Sequence, residues 1–144
     1  MSSTELLGFS PKLRAAVRQH VTVFNPGAAA ADATEEWALL AAEKDLMIHR
    51  VSWIPKSAVT GQATNYFNLN VINAGSDGLP GTEIGNVDYA SGTNASADQE
   101  NVIVSSDQRV SAGDVIVVQR ELVGTGLAMP EGAFSVVFSV LDSA

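Results

Sequence analysis

Apolar and polar residues alternate along most of the chain after residue 20. His20 to Phe24 alternates and is β-branched, which predicts a strand, and Asn25-Pro26-Gly27 ends it with turn chemistry. DLMIHRVSWIP sets Leu46, Ile48, Arg50 and Ser52 against Met47, His49, Val51 and Trp53. NYFNLNVIN (65–73) alternates Phe67, Leu69 and Val71 with Asn68, Asn70 and Ile72. Further strands are predicted over Thr82 to Tyr89, Asn101 to Ser105, Val115 to Val123 and Phe134 to Leu141. Loops fall between them at GSDGLPG (75–81), SGTNASAD (91–98), Val110 to Asp114, Gly124-Thr125-Gly126 and Met129 to Gly132.

Two stretches read less directly. AAAADATEEWALLAAEK (28–44) is rich in helix formers, and Trp37, Leu40, Ala41 and Lys44 share a helical face. Trp37, Leu39 and Ala41 also alternate with Ala38, Leu40 and Ala42. The strand that follows needs a partner, so 35–42 is read as a strand closed by a turn at Glu43-Lys44-Asp45. At the N-terminus, Ser10-Pro11 suits a helix start, and a short helix over about 11–19 or a frayed arm is expected.

Seven or eight short strands separated by turns predict an all-β fold, an antiparallel β-sandwich of jelly-roll type with a short N-terminal arm or helix. The expected division is an arm over 1–20 and a sandwich domain over 21–144. Phe67, Leu69, Val71, Val115, Val117, Phe134, Val136 and Phe138 are the expected inward positions.

The chain has 144 residues, which fits one domain with a self-sufficient core, and 46% of them are hydrophobic. No apolar run approaches the roughly 18 residues that span a bilayer, so no membrane partner is expected. MSSTELLGFSPKLR lacks a basic start followed by an apolar block, so no secretory signal is expected either. There are no cysteines, which excludes disulfides, thiolate nucleophiles and cysteine-based zinc sites. Net charge is −8, with eight Lys and Arg in all, so nucleic acid is not an expected partner. The charge is uneven. Residues 1–20 carry +2 from Lys12, Arg14 and Arg18 against Glu5, and the remainder carries −10. A mildly basic arm precedes an acidic body, and it can be an ordinary solvated segment or a docking element.

Candidate chemistry is sparse. His20 and His49 both sit in alternating strand patterns, and no sequence signal marks a Ser-His-Asp triad. Gly8-Phe9-Ser10-Pro11-Lys12 lacks the second glycine of a nucleophile elbow. Gly124-Thr125-Gly126 begins like a dinucleotide loop, but Met129 takes the third glycine position and Pro130 opposes a helix. Glu35-Glu36 would point to opposite faces of a strand, which argues against a shared acid–base site. Asp77, Asp98, Glu100 and Asp114 could offer oxygens to calcium, without EF-hand spacing. Asn94-Ala95-Ser96 matches a glycosylation sequon. Trp37, Trp53, Tyr66 and Tyr89 are candidates for a sugar platform, Trp53 reading as core or rim.

The cadence from residue 35 to 141 resembles a known group. It is carried by DLMIHRVSWIP, GSDGLPGTEIG, Ala112-Gly113-Asp114-Val115-Ile116, Gly124-Thr125-Gly126 and Pro130-Glu131-Gly132 before a final alternating strand. This is similar to small β-rich structural proteins of tailed bacteriophages, especially head decoration (cement) proteins. The resemblance implies a homotrimer on the outer surface of the capsid, in the virion, binding the major capsid protein and stabilising its lattice. It implies no catalysis and no cofactor. The arm has no matching motif; Leu6, Leu7 and Phe9 are its apolar candidates for docking on a capsid or a neighbouring subunit, and Lys12, Arg14 and Arg18 its charged ones. Two other classes compete. A carbohydrate-binding module or tail-fibre receptor-binding domain predicts an exposed aromatic cluster or a loop calcium. A small hydrolase predicts convergent histidine and carboxylates in a pocket.

Overall fold

The computed structural model describes residues 17–78 and 81–141. Nine strands form there: β1 (Gln19–Asn25), β2 (Glu35–Ala41), β3 (Leu46–Pro55), β4 (Tyr66–Asn73), β5 (Thr82–Asp88), β6 (Asn101–Val104), β7 (Gln108–Val110), β8 (Val115–Val123) and β9 (Gly132–Val140). No helix occurs among the described residues. The expected 11–19 helix lies mostly outside them, and Gln19 already belongs to β1. The Ala-rich 28–44 stretch resolves as a turn followed by strand β2, because pairing with β8 outweighs local helix propensity.

The strands pair in nested order. β1 lies beside β9, β2 beside β8, β3 beside β6 and β7, and β4 beside β5, all antiparallel. β9 also pairs with β3 and β8 with β4, giving one sheet β1-β9-β3-β6/β7 and a second sheet β2-β8-β4-β5. A hairpin wrapped this way over two sheets is a jelly roll. β6 and β7 act as two halves of one edge strand, since they meet opposite ends of β3 with 105–107 unpaired between them. Gln108-Arg109-Val110 has too short a pattern to stand out from the turn residues around it, so only pairing with β3 reveals it as strand.

The core lies between the sheets. Ile48, Val51 and Trp53 of β3 meet Phe67, Leu69 and Val71 of β4, with Ile116 and Val118 of β8 and Phe134 and Val136 of β9. Trp53, Phe67 and Tyr89 form an aromatic centre, with ring centroids 5.1–5.9 Å apart. Five of the eight expected inward positions are buried. The exceptions are Val115 and Val117, which are half-buried on the opposite face of β8, and Phe138, which is half-buried at the end of β9. The start of β8, VIVV, is apolar on both faces, so alternation there does not choose a register. The inward set is Ile116, Val118 and Arg120, and the buried arginine is what hides it.

Candidate functional site

Arg120 is fully buried, although it lies on a strand in a sandwich core. Its guanidinium donates to the carbonyls of Asp32 (3.0 Å), Ala29 (3.1 Å), Ala30 (3.2 Å) and Leu127 (2.9 Å). It also stacks over Phe67, 5.4 Å from the ring centroid. The planar fork lets one side chain serve four carbonyls, which lysine could not do. Burial pulls the Arg120 pKa down, and nearby Asp32 and Glu35 push it back up. Arg120 thereby ties the β1–β2 connection to the β8–β9 connection at one end of the sandwich. Gly126 makes the approach possible. Its φ is +79°, and a Cβ there would lie 1.8 Å from the Ala30 carbonyl oxygen.

His49 carries the arrangement closest to a catalytic one. It sits at a bulge in β3, between Ile48 and Arg50 in the register with β9. Its Nδ1 donates to Asp107 Oδ1 at 2.8 Å, and its Nε2 is 2.7 Å from Ser139 Oγ. In the neutral imidazole Nε2 accepts the serine proton, which is the order of a Ser-His-Asp relay. Ser139 is only 1% exposed, so its Oγ is turned into the fold rather than presented at the surface. Asp107 lies in the unpaired 105–107 step between β6 and β7. The array therefore pins that step across β3 to β9. The sequence holds all three residues, but nothing in their spacing marks the link.

The outer face of the second sheet is a polar field. Gln119 Nε2 donates to Glu36 (3.3 Å), Asn70 Nδ2 to Gln119 (3.0 Å), and Asn70 stands opposite Asn86. One step along, Asn68 Nδ2 donates to Glu121 (2.8 Å) and stands opposite Asp88, which accepts from Asn86 (3.0 Å). The first row crosses all four strands. Tyr66 follows on the same face of β4, half-buried. A shallow groove of about 340 Å³ continues this field past Glu36, Ile72, Glu83 and Val117. Two further clefts open elsewhere. One of about 380 Å³ runs between Ser57–Gln62 and Leu127–Pro130, and one of about 230 Å³ lies by Leu40, Leu46, Phe138 and Val140.

The remaining sequence candidates separate. Trp53 and Tyr89 are buried, and Trp37 packs partly against the core, so they form no exposed sugar platform with Tyr66. Asp114 accepts from Ser111 N and Asn73 Nδ2, Glu100 pairs with Arg50, and Asp98, at φ +56°, donates its backbone N–H to the Pro55 carbonyl (2.8 Å). No group of three metal-ligating side chains occurs among the described residues. His20 is exposed on edge strand β1 opposite Val137, level with the His49 bulge but on the other side of β9. Leu6, Leu7, Phe9, Lys12 and Arg14 lie outside the described residues; Arg18 is exposed just before β1. The buried Arg120 is the functional-site feature that sequence reasoning missed.

No family model matches the chain, and no curated protein matches it. Solved structures with related architecture include a Bacillus endospore appendage protein from a family of disulfide-linked pili. It is 16% identical at a TM-score of 0.40, with 88% of each chain covered. The infectious bursal disease virus Gx strain structure gives 11% identity and a TM-score of 0.41 over 90% of this chain and 33% of the other. The VP2 subviral particle of the same virus gives 12% and 0.32, over 89% and 39%. The chain thus spans about a third of the length of the viral chains it matches. Identities and TM-scores at this level carry no function across.

Proposed function

We propose that the chain is a virion structural protein, a capsid decoration protein that binds the outside of a phage head and stabilises the major capsid lattice, acting as a homotrimer without catalysis. The observation that carries this reading is where the resemblance-bearing residues sit. Ala112-Gly113-Asp114, Gly124-Thr125-Gly126 and Pro130-Glu131-Gly132 are the turns and closures of the jelly roll. Gly113 (φ +93°), Gly124 (φ +62°) and Gly126 (φ +79°) require left-handed backbone, and Gly132 abuts the Ile54 carbonyl. Architecture, rather than a reaction centre, is what these motifs specify. The basic arm is the attachment element, docking on the capsid or on a neighbouring subunit.

The test is to mix the purified protein with undecorated capsids and image the particles. Ordered density on the outer surface at threefold positions supports the proposal, and particles that stay bare at low and high salt reject it. A truncation beginning at Val17 preserves all of β1 and removes most of the arm. Its loss of capsid binding with an unchanged β spectrum is the expected result.

One observation favours a second reading, a carbohydrate-binding module. The amide and carboxylate rows beside Tyr66 offer fixed donors and acceptors of the kind that sugar hydroxyls meet. Binding to an oligosaccharide array that Gln119→Ala abolishes would favour that reading.

A further inference from the structure

Four strand edges bound the two sheets, and three of them are blunted. β2 carries Glu35 and Glu36 and bulges between Ala38 and Leu40. β5 carries Glu83 and Asp88 and shifts register against β4 between Val71 and Ile72. It also lies close to β6, since a Cβ on Gly85 would sit 2.8 Å from the Ile103 carbonyl oxygen. The β6/β7 edge is interrupted at 105–107. β1 has none of these devices. Its seven residues, QHVTVFN, run in unbroken register with β9 and include no Asp, Glu, Lys, Arg or Pro. No strand among the described residues pairs with its other side. Phe24 on this strand is 65% exposed, the most of any large hydrophobic residue described. A long, regular, uncharged edge is a template for another strand.

We propose that the free edge of β1 pairs antiparallel with β1 of a second copy, across a twofold axis through Thr22. The order of residues in the strand selects that occupant. Read from either end, QHVTVFN runs amide, aromatic ring, valine, threonine, valine, aromatic ring, amide. Antiparallel pairing about Thr22 sets Gln19 against Asn25, His20 against Phe24 and Val21 against Val23, each twice, and Thr22 against itself. Inward positions meet inward ones and outward positions meet outward ones, so both sandwiches continue across the joint with their faces in step. The exposed Phe24 ring gains the His20 imidazole as a cross-strand neighbour. Charge selects the same edge. Two bodies of net −10 repel, and β1 alone among the four edges brings no carboxylate into the joint. One strand pair without further packing is marginal, so the joint forms between concentrated copies. It rests on neither the capsid reading nor the threefold one.

The absence of native cysteine allows a direct test. Across this axis the two Thr22 Cα atoms lie about 4.5–5.5 Å apart, within the span of a disulfide. The Thr22→Cys chain, concentrated and mildly oxidised, should form a covalent dimer. Ala38→Cys, exposed on the β2 edge of the other sheet, should not. No dimer from Thr22→Cys, or equal yields from the two variants, overturns the proposal. Register is read by mixing a size-tagged His20→Cys chain with an untagged Phe24→Cys chain. Linkage of tagged to untagged chains should exceed linkage of like to like, and the reverse order overturns the pairing. A third variant needs no oxidation. Thr22→Lys places its charge on the exposed face of β1 and leaves the pairing with β9 in place. Its β spectrum should match that of the parent, while the rise of mass with concentration in sedimentation should disappear. An unchanged rise counts against the joint.

Discussion

Arg120 holds four backbone carbonyls from two connections, so its loss removes their shared donor and leaves a void. Arg120→Ala should cost about 3–5 kcal/mol, measured as the shift in urea midpoint. Arg120→Lys should recover little of it, since an ammonium cannot reach both connections at once. Tyr89 gives a second test. Burial raises its pKa from 10.0 to about 12. The charged form is disfavoured in the folded state, so this stabilisation is complete below pH 10 and is lost as pH rises toward 12. Two units correspond to about 2–3 kcal/mol. Tyr89→Phe should flatten the fall in stability between pH 10 and 12, and an unchanged slope would show that the phenol stays solvated. Neither role is legible in the sequence. Alternation makes Arg120 an outward residue, and nothing local tells Tyr89, at a strand end, from a surface tyrosine.

At the scale of single elements, β8 gives the sharpest check of register. Val118→Gln places an unpartnered amide in the core and should cost about 2–4 kcal/mol. Val117→Gln, one residue away on the outer face, should stay within about 1 kcal/mol in the same denaturation series. Equal effects would mean that the strand is turned the other way. The same logic separates Phe67→Ala, at about 3–5 kcal/mol for a fully buried ring, from the smaller loss expected of half-buried Phe138→Ala. β3, β4 and β9 were readable because their patterns are long and their turns are marked by glycine and proline. β2 was readable only through its need for a partner. It carries a bulge between Ala38 and Leu40, and Leu39 is the buried residue there. β7 was not readable, since three residues hold no period. Its position follows from β3, and the His49–Asp107 contact fixes the gap before it.

For the whole molecule, the sandwich class and its wrapping follow from strand count and turn spacing, while the surfaces do not. The polar field on the second sheet assembles residues from β2, β4, β5 and β8 that are up to 85 positions apart between Glu36 and Glu121. Only the register places them in rows. If decoration is the function, light scattering of the full chain should give a mass of three 15.0 kDa units, and the Val17 truncation should give one. A truncated protein that stays trimeric would move the oligomer contact from the arm to the sandwich itself.

The pairing of β1 with β9 also has a consequence in time. The first strand made is completed by the last, and every other pair except β4 with β5 spans long stretches of chain between its members. Such non-local closure is slow, in the range of milliseconds to seconds for β-sandwiches. During synthesis β1, with Phe24 exposed on it, must wait as an unpaired edge until Gly132–Val140 emerges. Moving the chain break to the β4–β5 loop, with the native ends joined, makes β1 with β9 local but turns β4 with β5 into the first and last strands. The nesting is preserved, so stopped-flow tryptophan fluorescence should show refolding in the same time range, and a large acceleration would mean that β1–β9 closure alone limits the rate.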